Sequence, residues 1–134
     1  TTYLFDETIE DNLRIAKPDA TQEEIEAACR MASVHEFILS LPDGYKTRVG
    51  ALGDNLSAGE KQRIGLARAF LRGSEWILLD EPTSNVDSIN EGIILKALQE
   101  QKRKKSILLV SHRESTMAIA DRIYRVKDGR MAEI

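Results

Sequence analysis

Two short apolar runs, "WILL" (Trp76–Leu79) and "ILLV" (Ile107–Val110), constrain this chain more than any other feature. Neither alternates apolar with polar residues, so each reads as a strand buried on both faces. Between them Ile89, Ile93 and Ala97, with Ile94 and Leu98 one step round, recur at helical spacing over 88–101. Strand, helix and strand of this kind make a βαβ unit with parallel strands. In an open parallel sheet, ligands bind beyond the carboxyl ends of the strands. Those ends are Asp80-Glu81 and Ser111-His112. The topology therefore brings two carboxylates and an imidazole to one rim. Adjacent acids there suit two tasks: one holds a hard cation, the other orients or deprotonates an attacking water. A histidine there can donate a hydrogen bond to a phosphoryl group or to that water. A structural reading also exists, with the acids capping the turn that follows and His112 opening a helix.

The region before the first run is helical. Ile9, Leu13 and Ala16 share one stripe until Pro18 stops it. Thr21 and Glu24 form a capping-box pattern ahead of Ile25, Ala28, Cys29 and Ala32. Val34, Phe37, Ile38 and Leu41 repeat the helical spacing, and "LPDGY" (Leu41–Tyr45) signals a turn. Residues 46–56, with Gly50, Gly53 and Asn55, read as an irregular loop. A helix follows from Ser57 to Arg72, with Ile64, Ala67 and Leu71 on one stripe, until Gly73-Ser74 breaks it. Ser57 and Glu60 form a second capping box, and Gly59 would allow close approach to that helix start. Asp87 suits the N-cap of helix 88–101. "KRKK" (Lys102–Lys105) complements the dipole at its other end. A short helix is expected near 114–120, and Asp128-Gly129 predicts a hairpin turn. Cys29 is expected to be a buried apolar residue, His35 a solvated or satisfied helix residue rather than a ligand, and Trp76 to pack at the core edge.

With 42% apolar and 31% charged residues, the chain can bury a core. Its net charge of −3 argues against a general nucleic-acid binder. No apolar run approaches the ~20 residues that span a bilayer, so direct membrane insertion is not expected. A single cysteine fits a reducing compartment, and a soluble, cytosolic setting is expected.

"LSAGEKQRIGLARA", then "WILLDEPTSNVD", then, after a helix, "ILLVSH" resemble the ATP-binding cassette (ABC) ATPases in motif order and separation. "YLFDETIEDNLR" (3–14) and "LPDGYKTRVG" resemble the exporter-type branch. The resemblance implies an α/β fold: a helical signature subdomain over 1–73, then over 74–134 the C-terminal half of a RecA-like P-loop NTPase core with a mainly parallel sheet. It implies ATP hydrolysis with Mg²⁺, coupled to transport. The implied partners are a second nucleotide-binding domain and the transmembrane domain of a transporter, with the chain on the cytoplasmic side of the membrane. Asp80 resembles the Walker B aspartate that holds Mg²⁺. Glu81 resembles the catalytic glutamate, and His112 the switch histidine that contacts the γ-phosphate. Ser84 to Asp87 sits where the D-loop crosses to the partner, and Asp87 is counted among the nucleotide-binding residues. Leu56, Ser57, Ala58, Gly59 and Glu60 resemble the signature motif. By that resemblance this helix end faces ATP held by the second cassette, where backbone N–H groups and the helix dipole favour the γ-phosphate.

Departures from the family pattern are informative. Ala58 replaces a usual glycine, Glu60 a usual glutamine and Asn85 a usual small apolar residue. "TRVGALG" (Thr47–Gly53) stands where exporter-type loops carry acidic residues and an arginine. No G-x-x-x-x-G-K-[ST] loop occurs, so the lysine and backbone cradle for the β- and γ-phosphates are missing. The adenine-stacking aromatic that precedes that loop is missing with it, and the family's Q-loop glutamine is expected immediately before Thr1. The chain is therefore expected to be the C-terminal part of a transporter cassette, inactive on its own. In RecA-like sheets the strand leading into the phosphate loop lies between the histidine-bearing strand and the next, here 107–110 and 122–127. That gap is expected to be closed by collapse of the two strands, a swapped segment or self-association. Two rivals stand beside this reading. One is a non-transport ABC ATPase of DNA repair or translation, opposed by "YLFDETIEDNL". The other is a non-catalytic dimerisation or regulatory fragment that offers its signature face without hydrolysis.

Overall fold

The computed structural model describes residues 3–134. Among them, five helices precede the first strand: α1 (Ile9–Arg14), α2 (Gln22–Met31), α3 (His35–Ser40), α4 (Val49–Leu52) and α5 (Ala58–Leu71). Then follow β1 (Trp76–Asp80), α6 (Ser88–Gln101), β2 (Ser106–Val110), α7 (Glu114–Met117), β3 (Tyr124–Lys127) and β4 (Arg130–Glu133). No helix among the described residues is long and apolar enough to cross a membrane.

Side-chain caps set the main helix starts. Thr21 Oγ1 accepts from the Glu24 N–H at 3.1 Å while Glu24 Oε1 accepts from the Thr21 N–H at 3.0 Å. Ser57 and Glu60 repeat the arrangement at the head of α5, at 3.1 and 3.0 Å. Thr8 caps α1 through the Asp11 N–H, and Asp87 caps α6 through the Asn90 N–H at 2.8 Å. Each cap satisfies helix-end donors that have no partner within the helix. Residues 46–56 differ from the irregular loop expected: they hold α4 and a 3₁₀ turn over Gly53–Asn55. The segment before α1 braces this stretch. Ile9 N–H donates to Thr47 O, Val49 N–H to Glu7 O, both at 2.9 Å, and Gly50 N–H to Asp6 Oδ1 at 3.1 Å. Val49 and Leu52 pack partly on the core, which outweighs the loop signal of the glycines around them.

The core lies among α1, α2, α3, α5, α6 and one face of the β1–β2 sheet. Ile9, Leu13, Ile25, Cys29, Ile38, Ile64, Ile94 and Leu98 are almost wholly buried. Burial raises the Cys29 thiol to about 11, so it packs as a small apolar group. His35 is buried and its Nδ1 lies 2.7 Å from the Tyr45 hydroxyl, a satisfied histidine. Glu10 is buried with Lys46 at 2.7 Å and Arg14 at 2.9 Å. Burial pushes its carboxyl up, but the hydrogen bonds from Lys46 and Arg14 outweigh that and hold it below its ordinary value.

Strands β1 and β2 pair in parallel with Trp76 opposite Ser106 and Asp80 opposite Val110. Ile77, Leu79, Ile107 and Leu109 face the core. Trp76 and Leu78, each 67% exposed, lie on the other face with Leu108 and Val110. The expectation of strands buried on both faces is thus corrected, and so is that of Trp76 at the core edge. A run apolar at every position needs a layer on each side of the sheet, and the described residues cover one side. Strands β3 and β4 form a separate antiparallel pair, joined at Asp128 and Gly129 with φ of 52° and 73°. Two positive φ values match the type I′ turn that Asp-Gly favours. The expected collapse of the 107–110 strand onto β3 does not occur, since the two belong to different sheets. Leaving backbone groups unpaired is costly only where they are buried, and every β2 residue is exposed or only half-buried.

Helix α6 spans the residues its periodicity predicts, and its two ends join the halves of the fold. At its start, Gly59 of α5 is buried against Asn90, whose Cβ and Cγ would overlap a Cβ at position 59. At its end, Lys102 Nζ donates to Ile119 O at 2.9 Å and Asp121 Oδ1 at 3.1 Å.

Two outcomes follow. Hydrogen bonds from Lys17 and then the Thr21 N–H hold Glu24 at about 2. A carboxyl depressed from an unfolded value of about 4.3 contributes stability above that value and loses it as pH falls through about 2. Between about pH 5 and pH 2, the thermal midpoint of the wild-type chain should therefore fall further than that of Glu24→Gln; parallel curves would contradict the linkage. Gly59→Ala should lower stability in urea by about 1–3 kcal/mol through overpacking. The loss should shrink in an Asn90→Gly background if the Asn90 side chain is the obstruction.

Candidate active site at the sheet rim

The rim forms where β1 stops. Glu81 turns the chain with φ of 49°, and its N–H donates to Val110 O at 2.7 Å. A non-glycine residue in the left-handed region costs on the order of 1–3 kcal/mol and persists only where its surroundings hold it. Here the hold is the adjacent strand end, and the turn brings the Glu81 carboxylate to the residues that follow β2. His112 Nε2 lies 3.8 Å from Glu81 Oε1, and Ser111 Oγ donates to Glu81 Oε2 at 3.5 Å. The imidazole is 96% exposed and open to a molecule at the rim. Asp80 is exposed beside a cleft of about 140 Å³ lined by Gln62, Leu66, Leu79 and Pro82.

Neither structural alternative for these residues describes their contacts. The turn after β1 closes through backbone, with Ser84 N–H donating to Glu81 O at 3.1 Å, and takes no carboxylate cap. The N-cap of α7 is Arg113, so His112 stands outside that helix.

The signature-like residues form a second cluster. Leu56 is buried, Ser57 and Glu60 are tied up in the capping box, Ala58 is exposed and Gly59 abuts Asn90. Glu60 therefore turns its charge back onto the Ser57 N–H. The close approach that Gly59 permits is taken up by α6 of the same chain. Asp87 belongs with this cluster: the Asn90 backbone N–H, then the Asn90 side chain, hold its carboxyl below the ordinary range. Arg63, buried nearby, donates to Ser33 O; burial pulls its guanidinium down while Glu60 and Asp87 pull the other way. No hydrogen bond or ion pair among the described residues joins positions 56–60 to Asp80, Glu81 or His112.

Sequence spacing missed three residues at the rim. Arg113 Nη2 lies 2.6 Å from Glu91 Oε2 of α6, and Arg113 Nη1 donates to Thr83 O at 3.4 Å. Thr83 is fully buried in the turn that Arg113 reaches. Positions 83, 91 and 113 share no periodicity, so only the fold reveals the association.

Chemically, the rim offers one carboxylate with a histidine and a serine against it, and a second, exposed carboxylate one residue away. No group of three His, Cys, Asp or Glu side chains among the described residues forms a metal site alone. A lone Asp80 fits a hard cation of the kind that takes one or two protein carboxylates, with phosphates and waters completing its shell.

Comparison with known proteins bears on the family and the fold. A family model described as ABC transporter matches residues 2–84. The chain is 61% identical over 131 residues to a probable ABC transporter ATP-binding/permease protein of Haemophilus influenzae, covering 98% of this chain and 24% of that one. It is 47% identical over 133 residues to the putative multidrug export ATP-binding/permease protein YgaD of Bacillus subtilis, covering 99% and 23%. The solved structure of a bacterial Atm1-family ABC exporter with ATP bound matches with a TM-score of 0.85 and 36% identity, over 98% of this chain and 23% of that one. The chain thus spans about a quarter of the length of these curated relatives. The fold is α/β, part of a RecA-like core with helices before it, as in that exporter. With the family model matching more than half of its residues, and the fold in agreement, the chain belongs to the ABC transporter family.

Proposed function

We propose that the chain is the signature-bearing part of an ATP-hydrolysing cassette of an ABC exporter, with a helical subdomain over 1–73 and part of the ATPase core over 74–134. One observation carries the reading: the Glu81 carboxylate stands 3.8 Å from His112 Nε2 at the carboxyl rim of a parallel pair. Relatives named as ATP-binding/permease proteins, and a neighbour described as an exporter with ATP bound, support the transport setting.

In this reading Glu81 orients a water and accepts its proton as the water attacks the γ-phosphorus of ATP in line; the bond to the β–γ bridging oxygen breaks and ADP leaves with that electron pair. His112, exposed beside it, donates a hydrogen bond toward the γ-phosphoryl oxygens as their charge is redistributed. Ser111 Oγ restrains the second oxygen of Glu81, which leaves the first directed at the histidine. Asp80 is the residue that would hold Mg²⁺, which when bound neutralises phosphate charge. Leu56 to Glu60, with Ser57 foremost, present the α5 N-terminus to ATP held by a second cassette, and Asp87 lies on the same side. The capping box keeps that end rigid without spending backbone donors at the exposed Ala58. A transmembrane domain is the other partner, and the chain works at the cytoplasmic side of the membrane. By itself, lacking a phosphate-binding loop, it binds ATP weakly at best and does not turn it over.

In a chain completed with a phosphate-binding loop, Glu81→Gln should bind ATP normally and lose roughly 10²–10⁴-fold in turnover, measured as phosphate release. Wild-type turnover would remove Glu81 from the role of base. Ser57→Arg in one subunit of a mixed dimer should impair the ATP site whose phosphate loop belongs to the other subunit. Impairment of the site in its own subunit would overturn the face-to-face arrangement.

A further inference from the structure

The turn over residues 81–86 carries two strained positions, Glu81 at φ 49° and Asn85 at φ 62°. Asparagine tolerates that conformation, whereas glutamate has no local hydrogen bond to offset it. The turn therefore needs restraint from outside. Its backbone meets β2 through the Glu81 N–H bond to Val110 O. The only side chain among the described residues that ties the far part of the turn to the β2 end is Arg113. Its guanidinium spans two elements, with Nη2 2.6 Å from Glu91 Oε2 on α6 and Nη1 donating to Thr83 O at 3.4 Å. Its own backbone is fixed as well, because the Arg113 N–H donates to Ser111 Oγ at 3.0 Å. That hydroxyl is also the one that reaches Glu81. Glu91 is largely buried at the pair, where a charge–charge contact is screened less than at the surface.

The geometry points to Arg113 as a positioning residue for Glu81: paired with Glu91, it clamps the strained turn to the histidine-bearing strand end and so sets the approach of Glu81 to His112. It acts through Thr83 and Glu91 and touches neither Glu81 nor the reacting atoms. The planar fork is what the task requires, since one arm must take a carboxylate and the other a carbonyl in a different element. Lysine also has several donors, but on one nitrogen at the end of a flexible stem, without the rigid fork that holds two elements at a fixed separation. The inference rests on the reading of Glu81 as the base for its effect on rate, while the clamp itself can be read without turnover.

Two readouts test it on the same variants. In the 134-residue chain, amide hydrogen exchange over 81–86 should speed up in Arg113→Ala, with exchange in α2 and α5 unchanged. In the cassette completed with a phosphate-binding loop, Arg113→Ala should lower kcat for ATP roughly tenfold or more while KM stays within about twofold, as expected for a misplaced rather than missing base. Arg113→Lys, which keeps charge and bulk and guards against a folding failure in the alanine variant, should fall between. Arg113→Glu with Glu91→Arg should recover part of the kcat that either reversal loses alone. Unchanged exchange over 81–86 overturns the clamp. Faster exchange with wild-type kcat overturns the positioning role. Glu81→Gln run alongside separates the two levels: if it turns over normally, the assignment of the base fails, and the exchange result still decides the clamp.

Discussion

Burial of α5 is the interaction on which the rest of the structure depends. The helix packs against α1 and α2 on one side and meets α6 on the other. Ile64 and Ala67 are fully buried, and Leu66, Phe70 and Leu71 nearly so. Each such large side chain contributes about 1.5–3 kcal/mol by burial, a large share of the about 5–15 kcal/mol by which a domain is stable. The same helix positions both clusters of candidate residues. Its capped N-terminus is the signature-like end, and Leu66 and Gln62 line the cleft beside Asp80.

Two of the four non-glycine residues with positive φ among the described residues belong to the rim. The left-handed Glu81 and Asn85 lie in one short turn between two regular elements, β1 and α6. The cost is offset by neighbours that are rigid for other reasons: the parallel ladder on one side, the capped start of α6 on the other. Asp87 exemplifies the economy. It caps α6 through the Asn90 N–H, and its bonds to the Asn90 side chain hold that residue against Gly59 of α5. One carboxylate thus fixes the end of the turn and the seat of the signature-like helix. This is a structural role beside any contact Asp87 makes across an interface.

Much of the fold was legible because its signals are local. The capping boxes at Thr21–Glu24 and Ser57–Glu60, the span of α6 and the Asp128-Gly129 turn each depend on residues a few positions apart. What was misread depends on layers. Trp76, Leu78, Leu108 and Val110 carry the residue types of a doubly covered sheet, yet the described residues cover only one of its faces. The 46–56 stretch was misread for the opposite reason: Gly50, Gly53 and Asn55 gave a loop signal, while bracing by Glu7 and Asp6 holds a short helix there.

The amino-acid sequence by itself determined the longer helices and the caps at Thr21, Ser57 and Asp87, the parallel βαβ unit, and the placement of Asp80, Glu81 and His112 at one rim. These follow from periodicity and from the chirality and direction of a crossover, which need no coordinates. Only the tertiary structure decided which of those residues meet, and what holds them. Glu81 reaches Ser111 and His112 because of a left-handed backbone turn, Gly59 is reserved for Asn90, and Arg113 joins Glu91 to Thr83. Such associations link positions far apart in the chain with no spacing rule between them. They arise when packed elements fix side-chain directions, a condition that sequence periodicity alone cannot supply.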